Sequence, residues 1–449
     1  MRGEIASTGG RRRGIVTVVS TSGEASGIGD SGGRVLSRLL PLYGVIFAGF
    51  IGYSLMITVF TPLLLRPDSL LAGGARTPGT RALVLGGLLA LYPLGQFLSS
   101  PVMGALSDRR GRRPVLVISL LATTVCYALI VLALRTDRLG LLAFACLCAG
   151  LGEANIVCAQ GAIADLTPAE QRGRYFGYIY LSASLAYIVG PLIGGKLAEP
   201  AIVPWFGPDI PFAVVFVLLA VITTTVALGF RETRTMPVAG AAAGPGSSLA
   251  ALRVVFRPGL GRFFAFNLLC YLAVFGFFRS YPMYLAQAFH FGVSRISEFV
   301  AWVGVPIVLV NAGVTGRLTA RAGPRMTALA AATASGCLIA AVVLPRATAA
   351  LWPILFLVGA AVALLLPACA MLLSAQVGPD EQGRVMGGNQ ALQVGAEAVS
   401  GALSGALAAV SPLLPLPVLG AAALLGAVWL LAVRPARALT LRSESRDPF

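Results

Sequence analysis

A chain of 449 residues in which 57% are hydrophobic and only 12% charged, with a mean hydropathy of +0.84, is too apolar to be a soluble globular domain of its size. The net charge of +16 suggests nucleic-acid binding at first sight. The apolar background points instead to a polytopic membrane protein whose basic residues set its orientation.

Residues 1–37, rich in Gly, Ser, Thr and Arg, read as a disordered cytoplasmic tail, and the apolar patch at 15–19 is too short for a signal-sequence core. About 20 apolar residues cross the hydrocarbon as a helix. Twelve such runs follow, near 40–64, 80–103, 114–134, 139–162, 175–197, 210–230, 262–287, 297–317, 325–345, 350–374, 385–409 and 412–433. The expected fold is an all-α membrane protein with two pseudo-symmetric six-helix bundles, 38–232 and 259–435. A Gly/Ala/Pro-rich cytoplasmic linker at 233–258 joins them, and 436–449 forms a cytoplasmic tail. With both termini inside, most of the 34 basic residues, of which only Lys196 is a lysine, fall on the cytoplasmic side. All seven cysteines lie within predicted spans, where small buried side chains are expected rather than disulfides.

The connection after the second run is GALSDRRGRRPVL, from Gly104, and a degraded copy, GRLTARAGPRMTA from Gly316, follows the eighth. A second pair of matching stretches starts at Leu166 and Val377. The halves therefore read as an internal repeat, a frequent architecture of secondary transporters. In the first copy two glycines suit a tight turn, the arginines suit anionic headgroups, and the acid can pair with one of them. Setting topology alone would need the positive charge but neither Asp108 nor the glycines. Thr167, Pro168 and Glu170 form a helix-starting capping box, and Gly378, Pro379 and Glu381 nearly repeat it.

In the fifth run YIVGPLIGG places Ala186, Gly190 and Gly194 four apart on one face, where helices pack closely and Pro191 bends the chain. Ionisable residues inside a membrane are costly and face a cavity or a partner. Glu153 with Gln160, and Gln390 and Gln393 with Glu397, each share a helix face and are expected to line a central path, with interhelical hydrogen bonding as the alternative. Arg279 either faces that path, holding an anionic partner, or snorkels to the outer interface.

The loop Gly104, Leu106, Asp108, Arg109, Gly111, Arg112, Arg113 resembles the loop motif of the major facilitator superfamily. The second to sixth runs, and the second half more loosely, look most like the tetracycline-type drug/proton antiporters of that family, as does the pattern at Gly190, Pro191, Gly194 and Gly195. The resemblance implies that the loop latches the cytoplasmic ends of the two halves in the outward-facing state, joined by Asp165 and Arg172, and that the glycine motif marks exporters. It departs from tetracycline exporters at Phe50, Cys126 and Cys146, where they carry ionisable residues. The expectation is a monomeric, proton-coupled efflux transporter of a small amphipathic compound, with Glu153 and then Glu397 as proton carrier. It would need no cofactor or metal and bind no nucleic acid, and it would sit in a bacterial-type inner or plasma membrane. The rivals are a sugar or metabolite permease of the same fold and a membrane-embedded enzyme. Against the enzyme, His290 is the sole histidine, and no nucleophile elbow or phosphate-binding loop is present.

Overall fold

The computed structural model describes residues 28–67, 69, 77–153, 155–167, 172–233, 253–257 and 259–432. Most of the two tails and of the linker, and the capping-box residues Pro168 and Glu170, lie outside them. Within them the chain is helical: α1 (Ile28–Leu65), α2 (Pro78–Arg110), α3 (Arg112–Arg135), α4 (Leu139–Glu153), α5 (Asn155–Leu166), α6 (Arg172–Leu197), α7 (Ile210–Gly229), α8 (Gly261–Ala288), α9 (Val293–Gly313), α10 (Thr315–Ala341), α11 (Thr348–Ser374), α12 (Pro379–Val410) and α13 (Pro415–Ala432). With α4 and α5 together forming the fourth, these are twelve spans. Helices are the expected solution, because the bilayer offers no partner for backbone N–H and C=O groups. Many serine and threonine hydroxyls are satisfied within their own helix, donating one turn back, as Thr58 does to the Ser54 carbonyl at 2.9 Å.

Two apolar cores fill the molecule, one drawn from Leu39 to Phe230 with Met283, Val293 and Ala408 joining it from the second half, and the other from Val254 to Leu430. Large apolar side chains also cover the outside, among them Ile118, Phe144, Leu228 and Leu425. A soluble protein would place charge there; a lipid-facing surface does not. Cys337 is exposed on that surface and Cys148 half-exposed, so not every cysteine is buried as its place in a span suggested.

Helix ends depart from the expected boundaries where the motifs lie. Thr77 caps α2 by exchanging hydrogen bonds with Thr80, with Pro78 starting the helix. At its other end α2 runs on through the basic motif to Arg110, so Gly104 sits inside the helix and takes no part in a turn. Gly111 alone makes the turn, at φ 97° and ψ 154°, a region open to glycine. Its repeat partner Gly323 adopts φ 78° and ψ 160° and breaks α10 in the same way, although both sides of that break are helical. The equivalence extends to side chains: Arg113 donates to the Ala227 carbonyl at 2.6 Å, and Arg325 to the Leu430 carbonyl at 2.9 Å, each in the last turns of the sixth helix of its half. In each half one arginine thus satisfies a carbonyl that the helix end leaves open.

The halves meet most closely at the end of the bundle where α1 gives way to α2, here called the far end. There α2 packs along α12, and a Cβ on Gly86 would stand 2.5 Å from the Gly405 Cα and 2.8 Å from the Gly401 carbonyl oxygen. Only glycine permits that approach. On the opposite flank α6 packs on α9, and Lys196 Nζ reaches Glu298 Oε1 at 2.8 Å and Ser294 Oγ at 2.6 Å across the seam. Arg295 shares the same glutamate at 2.8 Å.

Candidate functional site

At the near end, where α2 gives way to α3, the motif residues assemble around Arg112. Its guanidinium meets Asp108 Oδ1 at 2.8 Å, Asp165 Oδ2 at 3.1 Å and Ser107 Oγ at 2.7 Å. Arg112 is buried among acids and so is no headgroup anchor; Arg109, Arg110 and Arg113 are the exposed ones. Glu232, unmarked by any motif, accepts the backbone N–H groups of Arg112 at 2.8 Å and Arg113 at 3.0 Å. It thereby caps α3, where the helix dipole also favours an acid. These partners of Arg112 all belong to the first half. Arg172 opens α6.

The glycines of α6 divide their work. A Cβ on Gly190 would crowd Ser54 and Ile51 of α1, one on Gly194 would meet Leu55, and one on Gly195 would run into Ser297 of α9 in the other half. Pro191 lies within the helix between them.

Midway along the bundle the three intramembrane ionisable residues form two linked groups. In the second half Arg279 is 1% exposed, so it does not snorkel. Its guanidinium donates to the Phe275 carbonyl at 3.0 Å, to Glu397 Oε1 at 3.3 Å and to the Tyr53 hydroxyl. Tyr53 in turn donates to Glu397 Oε1 at 2.6 Å. Helices α8 and α12 are held in register around this pair by Asn267 to Asn389 at 2.9 Å, Tyr271 to Asn389 at 2.9 Å and Ser280 to Ser404 at 2.8 Å.

In the first half Glu153 is 1% exposed and neither carboxyl oxygen has a hydrogen-bond partner. The hydroxyls of Tyr92 and Tyr127 are its polar neighbours, yet neither is hydrogen-bonded. Gly49 and Gly52 of α1 leave the room into which the Glu153 carboxyl and the Tyr127 hydroxyl project, and a Cβ at either position would collide with them. The ring of Tyr53 stacks on Tyr92 with centroids 5.0 Å apart, which joins the two groups across the halves. Phe50, Tyr187 and Phe278 continue an aromatic wall from α1 through α6 to α8.

Gln160 and Gln393 are half-buried and Gln390 exposed, and among the described residues none is hydrogen-bonded to Glu153 or Glu397. Tyr53, Tyr92 and Tyr127 escaped the sequence reading because a tyrosine in an apolar helix looks like ordinary core. Gly49 and Gly52, three apart beside Tyr53, were the available signal.

Two helical halves, a basic motif turning on Gly111 and a paired midplane charge are the context in which a family match carries weight. The family model described as Major Facilitator Superfamily matches residues 42–393. The chain belongs to the major facilitator superfamily. It is therefore an integral, multi-pass membrane transporter and not an enzyme. The tetracycline resistance protein, class C, of Escherichia coli is 30% identical over 79% of this chain and 86% of its own length. Multidrug resistance protein 1 of Bacillus subtilis (strain 168) is 32% identical over 41% of this chain and 43% of its own. Among solved structures, a D-xylose-proton symporter superposes with a TM-score of 0.70 at 15% identity, covering 88% of this chain and 98% of that one. The human organic anion transporter MFSD10 gives 0.65 at 19% identity, covering 87% and 99%. These two likenesses establish the fold of this superfamily member and nothing finer.

Proposed function

We propose that this transporter exports a small amphipathic compound in exchange for protons by alternating access, as a monomer with both termini cytoplasmic in a bacterial-type inner or plasma membrane. The proton gradient supplies the energy, without a cofactor. Curated relatives named for tetracycline and multidrug resistance support export. The distribution of basic residues supports the orientation.

The observation that carries the coupling is the difference between the two glutamates. Glu397 is committed to Arg279 and Tyr53, whereas Glu153 is more deeply buried and has neither a cation nor a hydrogen bond. A buried charge without compensation is costly, so Glu153 is occupied by a proton in this conformation and releases it where water reaches it. With the near end cytoplasmic, a closed far end makes this the inward-facing arrangement. There Arg112 is held by Asp108 and Asp165 of its own half.

Proteoliposomes with an imposed pH gradient test the assignment. Glu153→Gln should bind cargo and exchange it down its own gradient, and lose uphill transport. Undiminished uphill transport by this variant would rule Glu153 out.

A further inference from the structure

We infer that the cargo carries a neutral hydroxyl on a flat aromatic ring, a phenol, and that the Tyr53 side chain occupies that group's place in this conformation. The inference rests on the proposed alternating access and takes Arg279 and Glu397, expected to line the central path, as the cargo site. The Tyr53 hydroxyl accepts from Arg279 and donates to Glu397 at 2.6 Å. A guanidinium can only donate and a carboxylate can only accept. A single atom between them must therefore do both, and a hydroxyl does. A carboxylate ligand would face Glu397 with like charge, an ammonium would face Arg279, and an ether or ketone would leave Glu397 with only its longer bond from Arg279 at 3.3 Å.

The ring is selected as well. Tyr92 stacks on that of Tyr53 at 5.0 Å and 20° between planes, and the Arg279 guanidinium carbon lies 5.8 Å from its centroid. The fork of Arg279 and Glu397 belongs wholly to the second half, fixed by the Ser280–Ser404 and Asn267–Asn389 bonds on either side of it. The phenol that fills the fork comes from α1 of the first half. When the halves part at this level Tyr53 leaves with α1, and a buried ion pair remains with one hydroxyl position open. Arg279 Nε, buried and already without a partner, is a further donor at the same place. An incoming phenol restores the bonds that Tyr53 made, so chain and cargo compete for one position.

The test uses the purified full-length protein in nanodiscs, with binding of 2-naphthol, 2-methoxynaphthalene and 2-naphthoate measured by the shift of the unfolding midpoint. Tyr53→Phe keeps the ring and removes the competing hydroxyl. It should bind 2-naphthol about tenfold more tightly than wild type, the size of one hydrogen bond to a charged partner. It should also prefer 2-naphthol over the methyl ether by about the same factor. Wild type should show the same order of preference, an arm that needs no variant. Equal binding of naphthol and its ether, a preference for the naphthoate anion, or no gain in Tyr53→Phe overturns the inference. Transport of the same compounds driven by a pH gradient separates it from the export reading. A phenol preference without proton-driven transport overturns export and leaves the ligand class standing. Proton-driven transport indifferent to the hydroxyl overturns the ligand class alone.

Discussion

At the scale of single residues, Arg279 and Glu397 stand or fall together. A buried ion pair contributes little against an apolar substitute of similar volume, but losing one partner strands the other charge at a cost of about 3–5 kcal/mol. Arg279→Met should therefore lower the unfolding midpoint in detergent, and Arg279→Met combined with Glu397→Leu should recover part of the loss. Additive losses in that double-mutant cycle would show that the two side chains are not coupled. Arg279→Lys keeps the charge but has no planar fork with which to serve Tyr53 and Glu397 at once, so transport should fall further than the retained charge suggests. Wild-type flux in that variant would contradict the geometry. The sequence exposed these ionisable residues because charge in an apolar run is conspicuous. It did not choose between the two glutamates as partner of Arg279, since helix periodicity orders residues within a span and says nothing about which spans adjoin. The tyrosines between them carried no such mark.

At the scale of elements, the basic motif turned out to be several devices. Arg113 and Arg325 each serve a terminal carbonyl of the sixth helix of their half. Arg113→Gln and Arg325→Gln should therefore destabilise by similar, modest amounts, on the order of 0.5–1 kcal/mol, read as unfolding midpoints. Arg112→Gln should cost more than either, because Asp108 and Asp165 would face one another without the cation between them. If the three variants were indistinguishable, the hub assignment to Arg112 would fail. The repeat was legible as letters, and Gly111 and Gly323 confirm it as backbone geometry. What the letters did not reveal is that α2 continues through the motif as helix, or that Glu232 returns from beyond α7 to cap α3. A cap between residues 120 positions apart leaves no local pattern.

For the whole molecule, the far seam is the mechanical question. Lys196 and Glu298 bridge the halves there beside the close approach of Gly195 to Ser297. An exposed pair of this kind is worth about 0.2–1 kcal/mol. Lys196→Glu should accordingly open the seam more often, by up to about fivefold, the upper end of that range. The reactivity of a Ser297→Cys thiol would measure it, in a Cys337→Ala background that removes the exposed native cysteine among the described residues. Lys196→Glu with Glu298→Lys should close it again; unchanged labelling throughout would mean that the glycine contacts alone hold the seam. The twelve spans and the two-half plan were readable from hydropathy, whereas the side on which the halves close was not, because one sequence serves every conformation in the cycle.

The inequality of the halves has a kinetic consequence. The first half carries Asp108 and Arg112 where the second has Ala320 and Pro324, so the two near-end turns share a shape and differ in charge. Such a difference cannot set the direction of net flux, which is fixed by the gradients across the membrane. It can set the orientation in which the empty carrier rests. A carrier that rests unequally on its two sides must show different half-saturation concentrations at its two faces, even when the cargo makes identical contacts from either. Neutralising the Arg112 cluster should therefore bring the two half-saturation values together while leaving the final accumulation ratio where the gradient puts it.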